Sequence, residues 1–295
     1  MVVACELSWR KQHTQRKASM RSTGINIKAC AASVNYGPKL IIIATYDAET
    51  IHSIVNNTPV LHVSFVPDPS LPIPIILPMI GQMGLYPGDA DSGDSAWKCY
   101  LHGYVSSRLM KLGADAIERG EEGLPLCVAA TKVDGFVLTL TPNSHNYNYR
   151  SAVLQGHATI VDDVDEKIWA MKLITNAVVP DRYENTRVPP DGAEMQSTRI
   201  LKMRISGASG KVREGCPEDE RKDMKREDVL DSVWTGVVPV YERLAEPVPG
   251  PYNRVGQILE HVRVFVDGEN EKRERYAVEA AKKPAPLKRK KKEED

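Results

Sequence analysis

The sequence lacks the marks of several common classes of protein. Its five cysteines are odd in number and form no Cys-x-x-Cys pair, which argues against a zinc site or a disulfide framework and indicates a reducing compartment. Acidic and basic residues are equal, at 39 each, so there is no overall electrostatic case for nucleic-acid binding. The longest apolar run, residues 40–44, is far too short to cross a bilayer, and residues 1–5 do not have the pattern of a signal peptide. We therefore expect a cytoplasmic protein without a membrane or nucleic-acid partner.

Motifs of several enzyme classes are absent as well. There is no Gly-x-Gly-x-x-Gly after a strand and no Gly-x-x-x-x-Gly-Lys-Ser/Thr, so neither a Rossmann site nor a P-loop is indicated. His-Glu-x-x-His and Gly-x-Ser-x-Gly are missing too. A basic run at residues 288–292 resembles a nuclear localisation signal, although short runs of this kind are often solvated tails. Nuclear entry is therefore the alternative to a cytoplasmic location.

The two ends of the chain differ in character from its middle. Residues 1–44 show no hydrophobic period and include a basic, polar stretch, which predicts a disordered extension. At the other end, residues 252–266 are compatible with a short helix and strand, and residues 267–295 are predicted to form a charged, disordered tail. The folded domain is therefore expected to span residues 45–266.

The middle of the chain is rich in strand patterns. Apolar residues alternate with polar ones in residues 60–66 and 201–205, and Asp134-Gly135 predicts a hairpin turn between two further strands. Residues 81–93 are rich in Gly and Asp and predict a loop. Helices are expected after Asp47, after Ser106 or Ser107, and after Asp163. Strands joined by hairpins, with helices between them, predict an α+β fold that is mainly β, with an antiparallel barrel and peripheral helices.

Two segments carry candidate binding residues. In residues 143–163, polar side chains lead into Tyr149, Arg150 and Ser151 and then into a long strand, a combination that suits a phosphorylated, planar cofactor. Ser106, Ser107 and Arg108 precede a helix, whose N-terminus is a place where anions bind. The alternatives are a hairpin with a polar turn for the first segment, and a capping serine beside a solvated arginine for the second.

The segment His-x-x-Asn-Tyr-Arg-Ser, residues 145–151, resembles the FMN-binding split barrels of the pyridoxamine-phosphate-oxidase-like family. The branch that it resembles is that of the flavin-nucleotide-binding proteins, close to the nitroimidazole-resistance reductases. Three other segments match the family in the same order, at residues 46–65, 100–109 and 211–239. Together they extend over roughly residues 45 to 240, which is most of the chain.

The resemblance implies an antiparallel split β-barrel of the FMN-binding type, acting as a homodimer with FMN at the interface. It implies an oxidoreductase in which electrons pass from NAD(P)H through the flavin to a small-molecule acceptor. The residues that it places at the cofactor are Pro78, Met79, His102, Ser106, Ser107, Arg108, His145, Asn148, Tyr149, Arg150, Ser151 and Trp234. Of these, His102 and His145 are the candidates for a general acid.

Several alternatives remain open within the resemblance. Strand alternation puts Tyr149 and Ser151 on one face and Arg150 on the other, so we expect one of the three, Ser151, to miss the cofactor. Trp234 is either a residue that stacks near the flavin from the partner subunit or a buried tryptophan of the barrel. A second function is a barrel that holds flavin or haem without turnover, and a third is a purely structural barrel. True pyridoxamine phosphate oxidase is a weaker interpretation, since residues 243–247 match its terminal Arg-Leu-x-Pro motif poorly.

Overall fold

The computed structural model describes residues 44–45, 47–91 and 96–285. The expected N-terminal extension up to residue 43, the matched Tyr46 and the basic run at residues 288–292 lie outside these residues. None of the described helices is long and apolar enough to cross a membrane.

The described residues form nine strands and seven helices, with one 3-10 turn at Asp223–Lys225. The strands are β1 (Ala44–Thr45), β2 (Leu61–Phe65), β3 (Ile75–Met79), β4 (Gly81–Gly84), β5 (Lys98–Tyr104), β6 (Leu124–Leu138), β7 (Asn146–Ile160), β8 (Thr198–Arg213) and β9 (Gly236–Pro239). The helices are α1 (Ala48–Asn56), α2 (Pro87–Asp91), α3 (Arg108–Glu118), α4 (Val164–Val178), α5 (Gly192–Ser197), α6 (Glu227–Leu230) and α7 (Glu260–Lys282).

The strands form an antiparallel split barrel, which confirms the predicted fold class. Hydrogen-bonded neighbours follow the order β3-β2-β6-β7-β8-β5-β4, with β1 beside β8 and β9 beside β6. The path is open, but its end strands β3 and β4 follow each other in sequence with only Ile80 between them. The carbonyl of Ile80 accepts a hydrogen bond from the His102 N–H of β5 at 3.1 Å. This contact brings the two ends of the path together.

The core lies on the inner faces of the strands. Leu61, Val63 and Phe65 of β2 are buried, as their alternation predicts. A second, smaller cluster includes Tyr100 and Ile200 and lies under α4. Asp47 caps α1, because its side chain accepts a hydrogen bond from Thr50 N–H at the start of that helix.

Two sequence predictions about local structure are wrong. Asp134-Gly135 is not a hairpin turn but a bulge inside the continuous strand β6, because residues 135–138 remain extended and pair with β9. The turn between β6 and β7 comes later, after Leu138. Residues 81–93 are not one loop either, since they contain β4 and α2.

The prediction of a disordered tail from residue 267 is wrong for residues 267–282. These residues belong to α7, a helix of 23 residues that packs against β6 and β9. Its buried residues are Ala277 and Ala280, whose small side chains give little hydrophobic signal in a strongly charged sequence. Tertiary packing, rather than intrinsic helix pattern, therefore holds this helix in place.

Candidate functional site

The start of α3 is the strongest candidate for an anion site. Ser107 is the N-cap residue of α3, but its side chain makes no capping hydrogen bond. Its Oγ is buried and has no hydrogen-bond partner among the described residues. The first backbone N–H groups of a helix also lack partners within the helix, and the helix dipole favours negative charge there. Ser107 therefore offers a hydroxyl next to free N–H groups at a site suited to a phosphate.

Arg108 adds a positive charge at the same place. It is the first residue of α3, and its side chain is exposed, as is that of the neighbouring Ser106. Hydrogen bonds from Ser70 hold the pKa of Asp68 below its ordinary value, and the charge of Arg108 contributes to the same shift. Arg108 is therefore within electrostatic reach of the loop between β2 and β3.

Strand β5 ends at Tyr104, two residues before Ser106. His102 lies beside Ile80 through the hydrogen bond described above, and its side chain is on the outer surface. Nearby protein atoms nevertheless lower the pKa of His102 by partial burial, which favours the neutral imidazole. Pro78 is exposed two residues before Ile80, whereas Met79 is half-buried and packs against the core. The structure thus brings one group of predicted residues along a single edge, and we call it the α3 edge: Pro78, Met79, His102, Ser106, Ser107 and Arg108.

The predicted residues of β7 have other partners. Asn148 is fully buried, where its Nδ2 donates to the Gly215 carbonyl at 3.2 Å and its Oδ1 accepts from Arg213 at 2.5 Å. Arg150 donates two hydrogen bonds to the Asp134 carboxylate, at 2.9 and 2.6 Å. Its guanidinium carbon also lies 3.7 Å from the centre of the Tyr276 ring. Both side chains therefore stabilise the end of the barrel that α7 covers.

The environment of Arg150 favours its charged form. Burial alone would lower the pKa of Arg150, but the hydrogen bonds and charge of Asp134 outweigh burial and raise it. The environment of Tyr276 favours its neutral form. Burial and the hydrogen bond to Glu214 raise the pKa of the phenol. The phenol thus stays neutral and donates to Glu214 Oε1 at 2.8 Å.

Strand alternation separates the remaining β7 residues from Arg150. Tyr149 pairs with Val133 and Arg213, and Ser151 pairs with Thr131 and Lys211, so both alternate with the inward-facing Arg150. His145 precedes β7, and its Nδ1 lies 2.9 Å from the hydroxyl of Thr139. Among the described residues, no hydrogen bond or ion pair joins these β7 residues to the α3 edge. The predicted residues therefore form two groups with different partners, and the groups adjoin where Pro78 pairs with His62, which lines a cavity together with Arg150.

Trp234 belongs to neither group. It precedes β9, and 67% of its surface is exposed, so the alternative of a buried barrel tryptophan is wrong. Its ring lies against Gly236, where an added Cβ would come within 2.6 Å of the indole. The indole therefore occupies space that a side chain at residue 236 would need.

Sequence reasoning did not identify the partners of Arg150. The sequence pattern predicts a turn at Asp134 and a disordered tail around Tyr276. A possible signal for α7 is the spacing of Glu269 and Arg273, which form an ion pair one helical turn apart with Nε and Oε2 at 3.2 Å. No comparable signal in the sequence connects Asp134 to Arg150, because the two meet only when β6 and β7 pair.

Comparisons with known proteins agree with this fold. The described strands and helices define a split β-barrel of the α+β class. A family model described as pyridoxamine 5'-phosphate oxidase matches residues 47–212, and the chain belongs to that family. No curated protein sequence matches it.

Two solved structures resemble the chain over most of their own length. The flavocytochrome Anf3 from Azotobacter vinelandii is 27% identical with a TM-score of 0.60, and the match covers 75% of this chain and 91% of that one. An FAD and heme binding protein from Mycobacterium smegmatis is 24% identical with a TM-score of 0.61, covering 76% and 97%. The second likeness shows the fold alone.

Proposed function

We propose that the chain is a flavin-binding oxidoreductase that holds the phosphate of its cofactor at the start of α3. The observation that carries this proposal is the buried Ser107 Oγ without a partner among the described residues. A buried hydroxyl normally has a hydrogen-bond partner, because leaving it unpaired costs free energy. A phosphate oxygen bound there would supply that partner, and the family and the likeness to a flavocytochrome support a flavin as its source.

The α3 edge provides what one phosphate group and a planar ring require. Ser106, Ser107 and Arg108 would hold the phosphate, with Arg108 making charge-assisted hydrogen bonds. The exposed Pro78 and His102 would lie along the ring. We propose FMN as the flavin, because the motif at residues 145–151 resembles the FMN-binding branch of the family. When bound, a flavin would accept a hydride from NAD(P)H and supply electrons to a small-molecule acceptor.

We also propose that a second copy of the chain covers the outer surface of β3 and β5. Ile76, Ile80 and Tyr104 project there with large exposed fractions, on both sides of Pro78 and His102. Apolar side chains that line a binding edge are typical of a surface that a partner covers. Since the surface is continuous with the α3 edge, a homodimer would enclose the cofactor between two copies. Sedimentation of the purified protein tests this, and a monomer at micromolar concentration with flavin bound would contradict it.

The first experiment is an absorbance spectrum of the purified protein, followed by heat release and mass measurement of the cofactor. We expect a flavin spectrum and the mass of FMN. Apoprotein is then titrated with FMN for the wild type, Ser107→Ala, Arg108→Gln and the control Arg119→Gln. Arg119 lies at the other end of α3, where it pairs with Glu121.

The expected result is a dissociation constant that rises at least about tenfold in Ser107→Ala and Arg108→Gln, since each loses a charge-assisted hydrogen bond. Arg119→Gln should bind FMN as the wild type does. A protein that is colourless and ignores both FMN and FAD would contradict the proposal. Equal affinity for FMN in all four proteins would show that the cofactor phosphate does not bind at the start of α3.

The second candidate is a barrel that holds flavin or haem without turnover. It is favoured by the likeness to a protein described as a flavocytochrome. The two functions differ in their response to reductant. Bleaching of the flavin absorbance by NADH or NADPH supports the oxidoreductase, whereas a Soret band or a flavin inert to both reductants supports the second candidate.

A further inference from the structure

A cavity lies at the end of the barrel that α7 covers. Its volume is about 390 Å³, which is in the range of small-molecule sites. Its walls come from the start of β2, the bulge of β6, the segment after β9 and α7. No residue of the α3 edge lines it, but it adjoins that edge through His62, which pairs with Pro78, and Arg150 in its wall belongs to the predicted cofactor set. Flavin binding is therefore measured beside anion binding in the test below.

Three cationic side chains line this cavity: Lys132, Arg150 and Arg273. The lining also holds two acids, Asp134 and Glu242, so cations exceed carboxylates. Both carboxylate oxygens of Asp134 accept hydrogen bonds from Arg150. Glu242 is 70% exposed and lies 3.6 Å from Arg273, so water screens much of its charge. Arg273 is also paired with Glu269, with Nε and Oε2 at 3.2 Å, although Glu269 does not line the cavity.

Lys132 is the cation without a carboxylate of its own. Its ammonium group donates to the Asn57 carbonyl at 3.1 Å, and no ion pair of Lys132 is present among the described residues. Burial lowers the pKa of Lys132, and the charges of Arg273 and Arg150 lower it further. An anion in the cavity would relieve this repulsion, because it would supply Lys132 with a negative partner close to Arg273.

The rest of the lining is largely apolar, with Thr58, His62 and Thr131 as its polar members. Pro59, Val60, Val133, Val240 and the ring of Tyr241 face the same space. A pocket with an apolar wall and a few charged groups suits a ligand that has an apolar part and a charged group. Tyr241 and Arg273 lie beyond residues 47–212, the part that matches the family, so the C-terminal segment completes this pocket.

We propose that this cavity binds a small organic anion, whose carboxylate or phosphate group contacts Lys132 and Arg273 and whose apolar part lies against Val60 and Tyr241. Arg150 lines the cavity but remains paired with Asp134, so it makes no direct contact with the anion. A neutral molecule of the same size would lose the ionic contacts, and a cation would be repelled.

Calorimetric titration of the full-length, flavin-loaded protein tests the proposal with four matched probes. Phenyl phosphate and benzoate carry the two acidic groups, whereas benzyl alcohol is neutral and benzylamine is a cation. We expect one molecule of phenyl phosphate or benzoate to bind per chain, and the stronger of the two identifies the acidic group. We expect no binding of benzyl alcohol or benzylamine.

Two variants test the residues. Lys132→Met and Arg273→Gln should each weaken binding of the better anion at least about tenfold, since each loses a hydrogen bond between charged groups. Arg275→Gln is the matched control, because Arg275 is exposed on the same helix and does not line the cavity. All three proteins should retain the flavin content of the wild type. If anion and flavin binding fall together, the cavity is part of the cofactor site and the inference is wrong.

A measurement on the wild type covers the case in which a variant does not fold. Trace labelling with an amine reagent, read by peptide mass, reports how accessible each lysine is. Bound phenyl phosphate or benzoate should slow labelling of Lys132 several-fold, while Lys172, exposed on α4, should react as before. Unchanged labelling of Lys132 at a saturating probe concentration, or equal binding of benzyl alcohol, would overturn the proposal.

Discussion

Arg150 and Asp134 form a two-point ion pair inside the barrel, with nitrogen–oxygen distances of 2.9 and 2.6 Å. The bulge between Val133 and Gly135 makes this pair possible. Asp134 is the extra residue of the bulge, so it has no opposite residue in the backbone register with β7. Its carboxylate can therefore face the guanidinium of Arg150 on that strand. The side chain of Asp134 is only 5% exposed and that of Arg150 18%, so solvent screens the pair weakly.

The first prediction concerns Asp134→Asn. This change leaves the Arg150 charge buried without its carboxylate, so we expect the free energy of unfolding to fall by about 3 kcal/mol. Urea denaturation measures it. The double variant with Arg150→Met should recover part of the loss, because no unpaired charge remains. If Asp134→Asn keeps full stability, the ion pair does not contribute in solution.

The same variants separate two roles of Arg150. If Arg150 only stabilises the barrel end, Arg150→Met should lower stability and leave the FMN affinity of the folded protein unchanged. If Arg150 binds the cofactor, as its place in the matched motif predicts, FMN affinity should fall in Arg150→Met and stay intact in a destabilised variant elsewhere. The comparison of affinity with stability decides between them.

The second prediction concerns the contact between Arg150 and Tyr276 of α7. Tyr276→Phe keeps the ring over the guanidinium but removes the hydrogen bond to Glu214, whereas Tyr276→Leu removes both. We expect Tyr276→Leu to cost about 1–2 kcal/mol more than Tyr276→Phe, because the cation–π contact is partly buried. Thermal and urea unfolding of both variants measure the difference. Equal stabilities would show that the ring contributes nothing beyond its hydroxyl.

Much of the barrel could be predicted from the sequence because local signals and tertiary structure agree there. Asp47 is followed by an apolar helical stripe and caps α1, and the alternating residues of β2 are buried on one face. The signals failed where pairing decided the outcome. Asp134-Gly135 is typical of a turn, but β9 pairs with residues 135–138 and keeps the chain extended.

The candidate site likewise has features that the sequence predicts and features that only the packing reveals. The sequence indicated that Ser107 begins a helix, and the structure has α3 starting at the next residue. It did not reveal that the Ser107 hydroxyl is buried and uncapped, because that depends on the surrounding packing. Nor did it separate Arg150 from the α3 edge, since its partner Tyr276 lies 126 positions later on a helix with few apolar residues.

The third prediction is a loss of stability as the pH falls from 7.5 to 5.5. Burial lowers the pKa of His52 below its ordinary value of 6.5, and its ring lies 4.1 Å from that of Trp97. The unfolded state therefore takes up a proton below pH 6.5 before the folded state does, which favours unfolding. Above pH 6.5 both states are neutral, and the penalty disappears.

His52→Gln should reduce this pH dependence, measured as the difference in the free energy of unfolding between pH 7.5 and pH 5.5. Part of the dependence should remain, since burial also lowers the pKa of His102. A variant whose stability falls with acid as steeply as that of the wild type would show that His52 is not the group responsible.

The fourth prediction concerns Gly156, where β7 shifts its register against β8. A Cβ added at Gly156 would lie 1.9 Å from the carbonyl oxygen of Arg204, which is backbone and cannot turn away. The two long strands would have to separate, so we expect Gly156→Ala to cost at least about 3 kcal/mol.

Gly192→Ala is the matched control, because nothing lies within 4 Å of a Cβ there. Gly192→Ala should unfold at the wild-type temperature or slightly above it, whereas Gly156→Ala should unfold many degrees lower or accumulate as insoluble protein. Equal melting temperatures for the two variants would mean that β7 and β8 do not approach as closely in solution.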